Sequence, residues 1–144
     1  MANLLNPIVS LLFFKIGIAV AYADYSNLSI PQISYEEGYS NPHPTAIDSL
    51  LGQIERRTSI ETDRGLFQLG LSHPKLYQYP LIYLAGSEGF KAFPANELQR
   101  LRNYLSYGGF LLIDDSSISV NSKFDVSVCK MIDVLFPQVP LKKV

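Results

Sequence analysis

Between Tyr79 and Ser117 the chain reads YPLIYLAGSEGFKAFPANELQRLRNYLSYGGFLLIDDSS, and no other stretch narrows the fold as much. Leu81-Ile82-Tyr83-Leu84-Ala85 is a continuous apolar run of strand length, the pattern of a strand covered on both faces in a parallel sheet. Gly86-Ser87-Glu88-Gly89 breaks that run. Pro94 suits the first turn of a helix, and Leu98, Leu101 and Leu105 line one side of it. Gly108-Gly109 ends the helix in the left-handed way open to glycine, and Phe110 to Ile113 forms the next buried strand. Two strands joined through a helix run parallel, because the helix carries the chain back to the starting edge. Asp114 and Asp115 then stand at a carboxyl end, where open α/β sheets hold their ligands.

The flanking segments extend the same pattern. Asn27 to Tyr35 alternates roughly apolar and polar, as a strand does, with Pro31 expected near its start or on an unpaired edge. Gly38 to Pro44 is a loop. Thr45 is placed to cap a helix running to about Arg57, with Ile47, Leu50, Leu51 and Ile54 on one stripe. Leu66 to Leu71 has the length of a short second strand. A last helix from about Lys123 carries Phe124, Val128, Ile132 and Leu135, and Pro137 closes it. This order predicts one α/β domain over residues 24–144: a mostly parallel open sheet with helices on both faces and right-handed crossovers.

Composition removes several function classes. Twelve Lys and Arg against thirteen Asp and Glu leave a charge of -1, with no basic run, so no nucleic-acid partner is expected. One cysteine, Cys129, excludes an internal disulfide and any Cys-rich metal site; its place within the last helix makes it a packing residue. No phosphate loop, dinucleotide fingerprint or zinc motif is present, so no cofactor is expected. Asp115 and Glu88 leave room for an oxygen-ligated divalent cation. The first 23 residues, MANLLNPIVSLLFFKIGIAVAYA, lack acidic residues and end in Ala21-Tyr22-Ala23, a small-x-small cleavage pattern. They predict an export signal, with a membrane-associated segment as the alternative. The apolar run from Ile8 to Ala21 is short against the roughly 20 residues of a membrane span. The expected location is therefore periplasmic or secreted.

Candidate chemistry gathers at the carboxyl edge. Strand geometry points Asp114 and Asp115 to opposite faces, so one of them, Asp115, is the candidate general base, nucleophile or ligand. The competing reading makes both carboxylates acceptors for the following turn and cap of the next helix. His43 and Glu88 follow strands and would converge with Asp115 on one crevice, lined also by Asp114, Gly86 and Ser87. Ser87 lacks the Gly-x-Ser-x-Gly elbow of a serine hydrolase. Tyr35, Tyr39 and Tyr83 fall near the same edge, suited to packing or to stacking on a sugar ring.

Five pieces of the chain, in order, carry a family resemblance: Asn41-Pro42-His43-Pro44-Thr45-Ala46, Arg57-Thr58-Ser59-Ile60, Tyr79 to Gly86, Leu101-Arg102-Asn103-Tyr104-Leu105 with Gly108 to Asp115, and Leu135-Phe136-Pro137. Over about Ser29 to Pro140 the chain resembles the bacterial family called domain of unknown function 4159. That resemblance implies a fold like class I glutamine amidotransferases, flavodoxin-like α/β sheets. Their cysteine nucleophile would fall near Asp114-Asp115-Ser116, where this chain has none, so glutaminase chemistry is not expected. Ser87 stands where many members carry a histidine, and Ser116-Ser117-Ile118-Ser119 replaces a turn containing Cys or Gly. Relatives continue beyond Val144 with further strands, which implies a sheet incomplete at its C-terminal edge. Two functions fit: a binding module for a small polar ligand or a protein partner at the sheet edge, or a carboxylate-dependent hydrolase using Asp115 and His43 on a small polar or carbohydrate substrate.

Overall fold

A computed structural model describes residues 27–142 apart from 39, 66, 120 and 140. The expected export segment and Tyr39 lie outside the described residues. The elements are β1 (Gln32–Ile33), α1 (Ala46–Arg57), β2 (Gln68–Leu69), a 3-10 turn (Pro74–Gln78), β3 (Leu81–Gly86), α2 (Ala95–Ser106), β4 (Phe110–Asp115) and α3 (Lys123–Leu135). They build an open parallel sheet in the order β2-β1-β3-β4. The α/β class is therefore as the sequence predicts, and flavodoxin-like sheets begin with this same order.

Alternation along β3 splits the interior into two layers. Ile82 and Leu84 face Leu101 and Tyr104 of α2 and Phe124, Val128, Met131 and Leu135 of α3. Tyr83 and Ala85 point the other way, onto Ile30 and onto Ile47 and Leu51 of α1. Helices thus cover both faces. The stripes differ in detail from expectation: Tyr104 and Met131 are buried, whereas Leu50 is 36% exposed. Tyr104 is buried because its hydroxyl has acceptors, donating to the carbonyls of Tyr79 at 3.0 Å and Phe110 at 3.3 Å.

The helix ends follow from local chemistry. Gly108, at φ +96°, lets its N–H reach the Leu105 carbonyl at 3.2 Å while the Gly109 N–H reaches that of Tyr104 at 3.0 Å. This double bond pattern satisfies carbonyls that the end of α2 would otherwise leave bare. Ser122 caps α3, its Oγ accepting from the Asp125 N–H at 2.8 Å. Thr45 occupies the N-cap position of α1, yet its side chain makes no capping bond, a departure from the expected cap.

The first strand is much shorter than the alternation from Asn27 to Tyr35 suggests. Leu28 makes a single parallel bridge to Thr62, and ladder pairing resumes only at Gln32, just past Pro31, which has no N–H to give. Pro31 still accepts the Tyr83 N–H at 2.9 Å, so it introduces an interior strand rather than an edge. At the other side β4 pairs with β3 from Leu81↔Phe110 to Gly86↔Asp115. Contrary to the buried strand expected from its apolar run, β4 has no partner strand on its outer edge among the described residues, and Phe110 and Leu112, on the α1 side, are exposed.

Candidate functional site

The loops leaving the carboxyl ends of β1, β3 and β4 build this edge of the molecule. After β4, Asp115 Oδ1 accepts the Ser117 N–H at 2.9 Å and Oδ2 accepts the Ser122 hydroxyl at 2.6 Å. The carboxylate thereby ties its own turn to the cap of α3. Burial alone would raise its pKa, but the bonds from Ser122 and Ser117 outweigh that and hold it below the ordinary carboxylate range. An acid that strong is a weak general base near neutral pH. Asp114 points to the opposite face, as expected, and accepts the Tyr83 hydroxyl at 2.6 Å. Burial first, and then the bond and charge of Asp114, push the Tyr83 phenol well above its usual value, so this proton stays in place.

The other predicted residues serve the scaffold or face solvent. A Cβ on Gly86 would stand 2.4 Å from the Phe124 ring and 2.4 Å from the Tyr35 hydroxyl, so close packing requires this glycine. Tyr35 donates to the Ala85 carbonyl at 2.9 Å and its ring lies 4.9 Å from that of Phe90; burial and the charge of Glu88 push its phenol up to about 12. Tyr35 and Tyr83 are packing residues. Ser87 is half-buried, and Glu88 and His43 are exposed. The His43 carbonyl accepts the Ala46 N–H at 3.0 Å, leading the loop into α1. Ser116, in the turn after β4, has a buried hydroxyl with no hydrogen-bond partner among the described residues. Cys129 lies on α3, its thiol pushed up by burial and by the charges of Asp125 and Asp133. Among the described residues no group of three His, Cys, Asp or Glu side chains is placed to hold a metal ion.

The loops after β1 and β3 close against one another. Glu36 takes the Lys91 ammonium at 3.3 Å, and its carbonyl takes the Lys91 N–H at 3.3 Å. Gly38, at φ +86°, sits where a Cβ would come within 2.8 Å of the Gly89 carbonyl. Gln32, buried on β1, donates its side-chain amide to the Ser40 carbonyl and pins the far end of the first loop. Beside this junction a crevice of about 520 Å³ opens, lined by Ser34, Glu36, Gly70, Lys91, Phe93 and Glu97 among others. It lies past the carboxyl ends of β1, β2 and β3, against the first turn of α2. None of Asp114, Asp115, His43, Gly86, Ser87 or Glu88 lines it. The sequence gives no signal for the lining: Ser34 and Gly70, which directly follow β1 and β2, fall inside the longer strands that the sequence suggests.

A larger groove, about 1010 Å³, lies at the opposite edge, before β1, β3 and β4. Parallel sheets hold their ligands at the carboxyl end, so the smaller crevice is the candidate site.

Fold and crevice together define an open, parallel α/β protein with a pocket where the strand order turns back. Residues 29–144 match the family model "Domain of unknown function (DUF4159)", and the chain belongs to that family. No curated protein matches it. Among the described residues no helix is long and apolar enough to cross a membrane.

Proposed function

We propose that the chain is a binding module that takes a small polar ligand in the crevice between the β1 and β3 loops. The observation that carries this reading is position: β2 and β3 flank β1, so chain direction across the sheet reverses there, and ligands of open α/β sheets sit at that reversal. Ser34, Glu36, Lys91 and Glu97 supply hydroxyl, carboxylate and ammonium groups, while Phe93 supplies an apolar wall. Binding is favoured over hydrolysis because both oxygens of Asp115 hold its own turn, and His43 is absent from the crevice walls.

The strand order also supports likeness to class I glutamine amidotransferases, as a likeness of fold without the glutaminase step. Residues 1–23 support export, so the module acts outside the cytoplasm; protein recovered after export should be lighter by those 23 residues in an intact-mass measurement. Recovery at full mass would sink the cleaved-signal reading.

The test of binding is thermal melting of the full chain with nucleotides, phosphorylated sugars, amino acids and divalent cations. A compound at about 100 times its dissociation constant adds roughly 2.7 kcal/mol, enough to raise the midpoint by several degrees. The expected result is a shift in the wild type that disappears in Lys91→Ala, a replacement on an exposed side chain. A shift kept in Lys91→Ala but lost in Asp115→Asn would move the site to Asp115 and favour the hydrolase. No shift with any compound counts against a small polar ligand.

A further inference from the structure

The groove at the amino edge has a chemistry of its own, independent of the crevice. It gathers Tyr77, Tyr79, Tyr104 and Tyr107, four of the nine tyrosines in a chain that has no tryptophan. Buried Tyr104 forms part of its floor. Tyr77 is fixed as a wall, its hydroxyl donating to the Arg100 carbonyl at 3.3 Å and the Arg100 guanidinium lying 5.4 Å from its ring centre. Tyr107 is 81% exposed, and its ring and hydroxyl have no partner among the described residues. Between the rings stand polar groups of both kinds. Asp63 is held by its N–H on the Leu28 carbonyl at 3.0 Å and accepts the Asn27 amide at 3.2 Å. Gln78 and Lys75 have side chains with no hydrogen-bond partner among the described residues.

We propose that this groove binds a neutral saccharide chain. Tyr77 offers a fixed, exposed ring face at small entropy cost and Tyr107 an exposed one beside the same groove, and the C–H face of a sugar ring suits their negative π-surface. One acidic and one basic side chain, Asp63 and Lys75, leave the groove without net charge, which suits an uncharged ligand. It runs past the amino ends of β1, β3 and β4, about two strand spacings or roughly 10 Å, a length for linked rings rather than one. A proline-rich peptide is the competing occupant of an aromatic groove. Its proline residues carry no N–H, so the Asp63 carboxylate would meet too few donors, whereas sugar hydroxyls both donate and accept.

The test is equilibrium titration of the full chain with cellohexaose, with chitohexaose and with a proline decamer, read by tyrosine fluorescence without interference from tryptophan. A saturable response to one hexasaccharide is expected, with affinity reduced at least tenfold by Tyr107→Ala and reduced also by Asp63→Asn. Tyr107 contacts no other ring, so its replacement leaves the fold intact, which an unchanged melting midpoint checks. Saturation by the proline decamer alone, no saturable response to either sugar, or full affinity in Tyr107→Ala would each overturn the assignment.

Discussion

Phe124→Ala is expected to lower the unfolding free energy by about 3–5 kcal/mol, a large part of the roughly 5–15 kcal/mol that holds a typical domain together. Phe124 is wholly buried in the first turn of α3, its ring 5.5 Å from that of Phe90 and pressed against the end of β3 at Gly86. Alanine would leave a cavity where the sheet, α3 and the β3 loop meet, and rigid neighbours can close little of it. The melting midpoint should fall by roughly 10–20 °C. Chemical denaturation measures the effect: the midpoint concentration should drop with the slope unchanged. A loss below about 1 kcal/mol would mean that α3 does not dock here as described.

The second large effect is at Gly86. An alanine Cβ would stand 2.4 Å from the Phe124 ring on one side and 2.4 Å from the Tyr35 hydroxyl on the other. Neither can withdraw easily, since Phe124 is fully buried and Tyr35 is bonded to the Ala85 carbonyl. Overpacking of this kind costs about 1–3 kcal/mol. Shrinking Phe124 removes one of the two clashes, so Gly86→Ala should cost less in the Phe124→Ala background, with a coupling of about 0.5–3 kcal/mol in a double-mutant cycle. Strict additivity would separate the two residues. Unchanged stability with lost ligand binding would instead return Gly86 to the ligand role that its place in the sequence suggests.

How much was legible differs from one part of the chain to another. The β3-α2-β4 unit could be read almost to the residue, because its apolar runs are unbroken and Gly108-Gly109 marks its helix end. The first strand is shorter than its alternation suggests: Pro31, expected near the start or on an edge, stands immediately before β1, and its missing N–H cuts the ladder ahead of Gln32. Tyr104 escaped the apolar stripe because tyrosine counts as amphipathic until partners for its hydroxyl are known, and those partners lie at Tyr79 and Phe110. The face-splitting of Asp114 and Asp115 followed from strand geometry alone. The turn and helix-cap contacts of Asp115 match the competing sequence reading, whereas the Tyr83 hydroxyl on Asp114 does not follow from sequence, since that contact crosses between strands.

The crevice was the least visible part. Its residues belong to segments at Ser34, Gly70 and Lys91 to Glu97, brought together only because β1 lies between β2 and β3. Strand order is a non-local property, and a pair of adjacent aspartates draws attention to the same edge but to a different loop. The tyrosine groove is hidden for the same reason, its rings coming from the 3-10 turn and its exit at Tyr79, from α2 and from the residue that ends it.

Amide chemical-shift mapping of the full chain, titrated with the same polar compounds, shows whether a ligand enters between the β1 and β3 loops. With a ligand there, perturbed amides cluster at residues 34–36, 70, 91–93 and 95–97. Perturbation centred on residues 116–119 together with His43, or none with any compound, would contradict that placement.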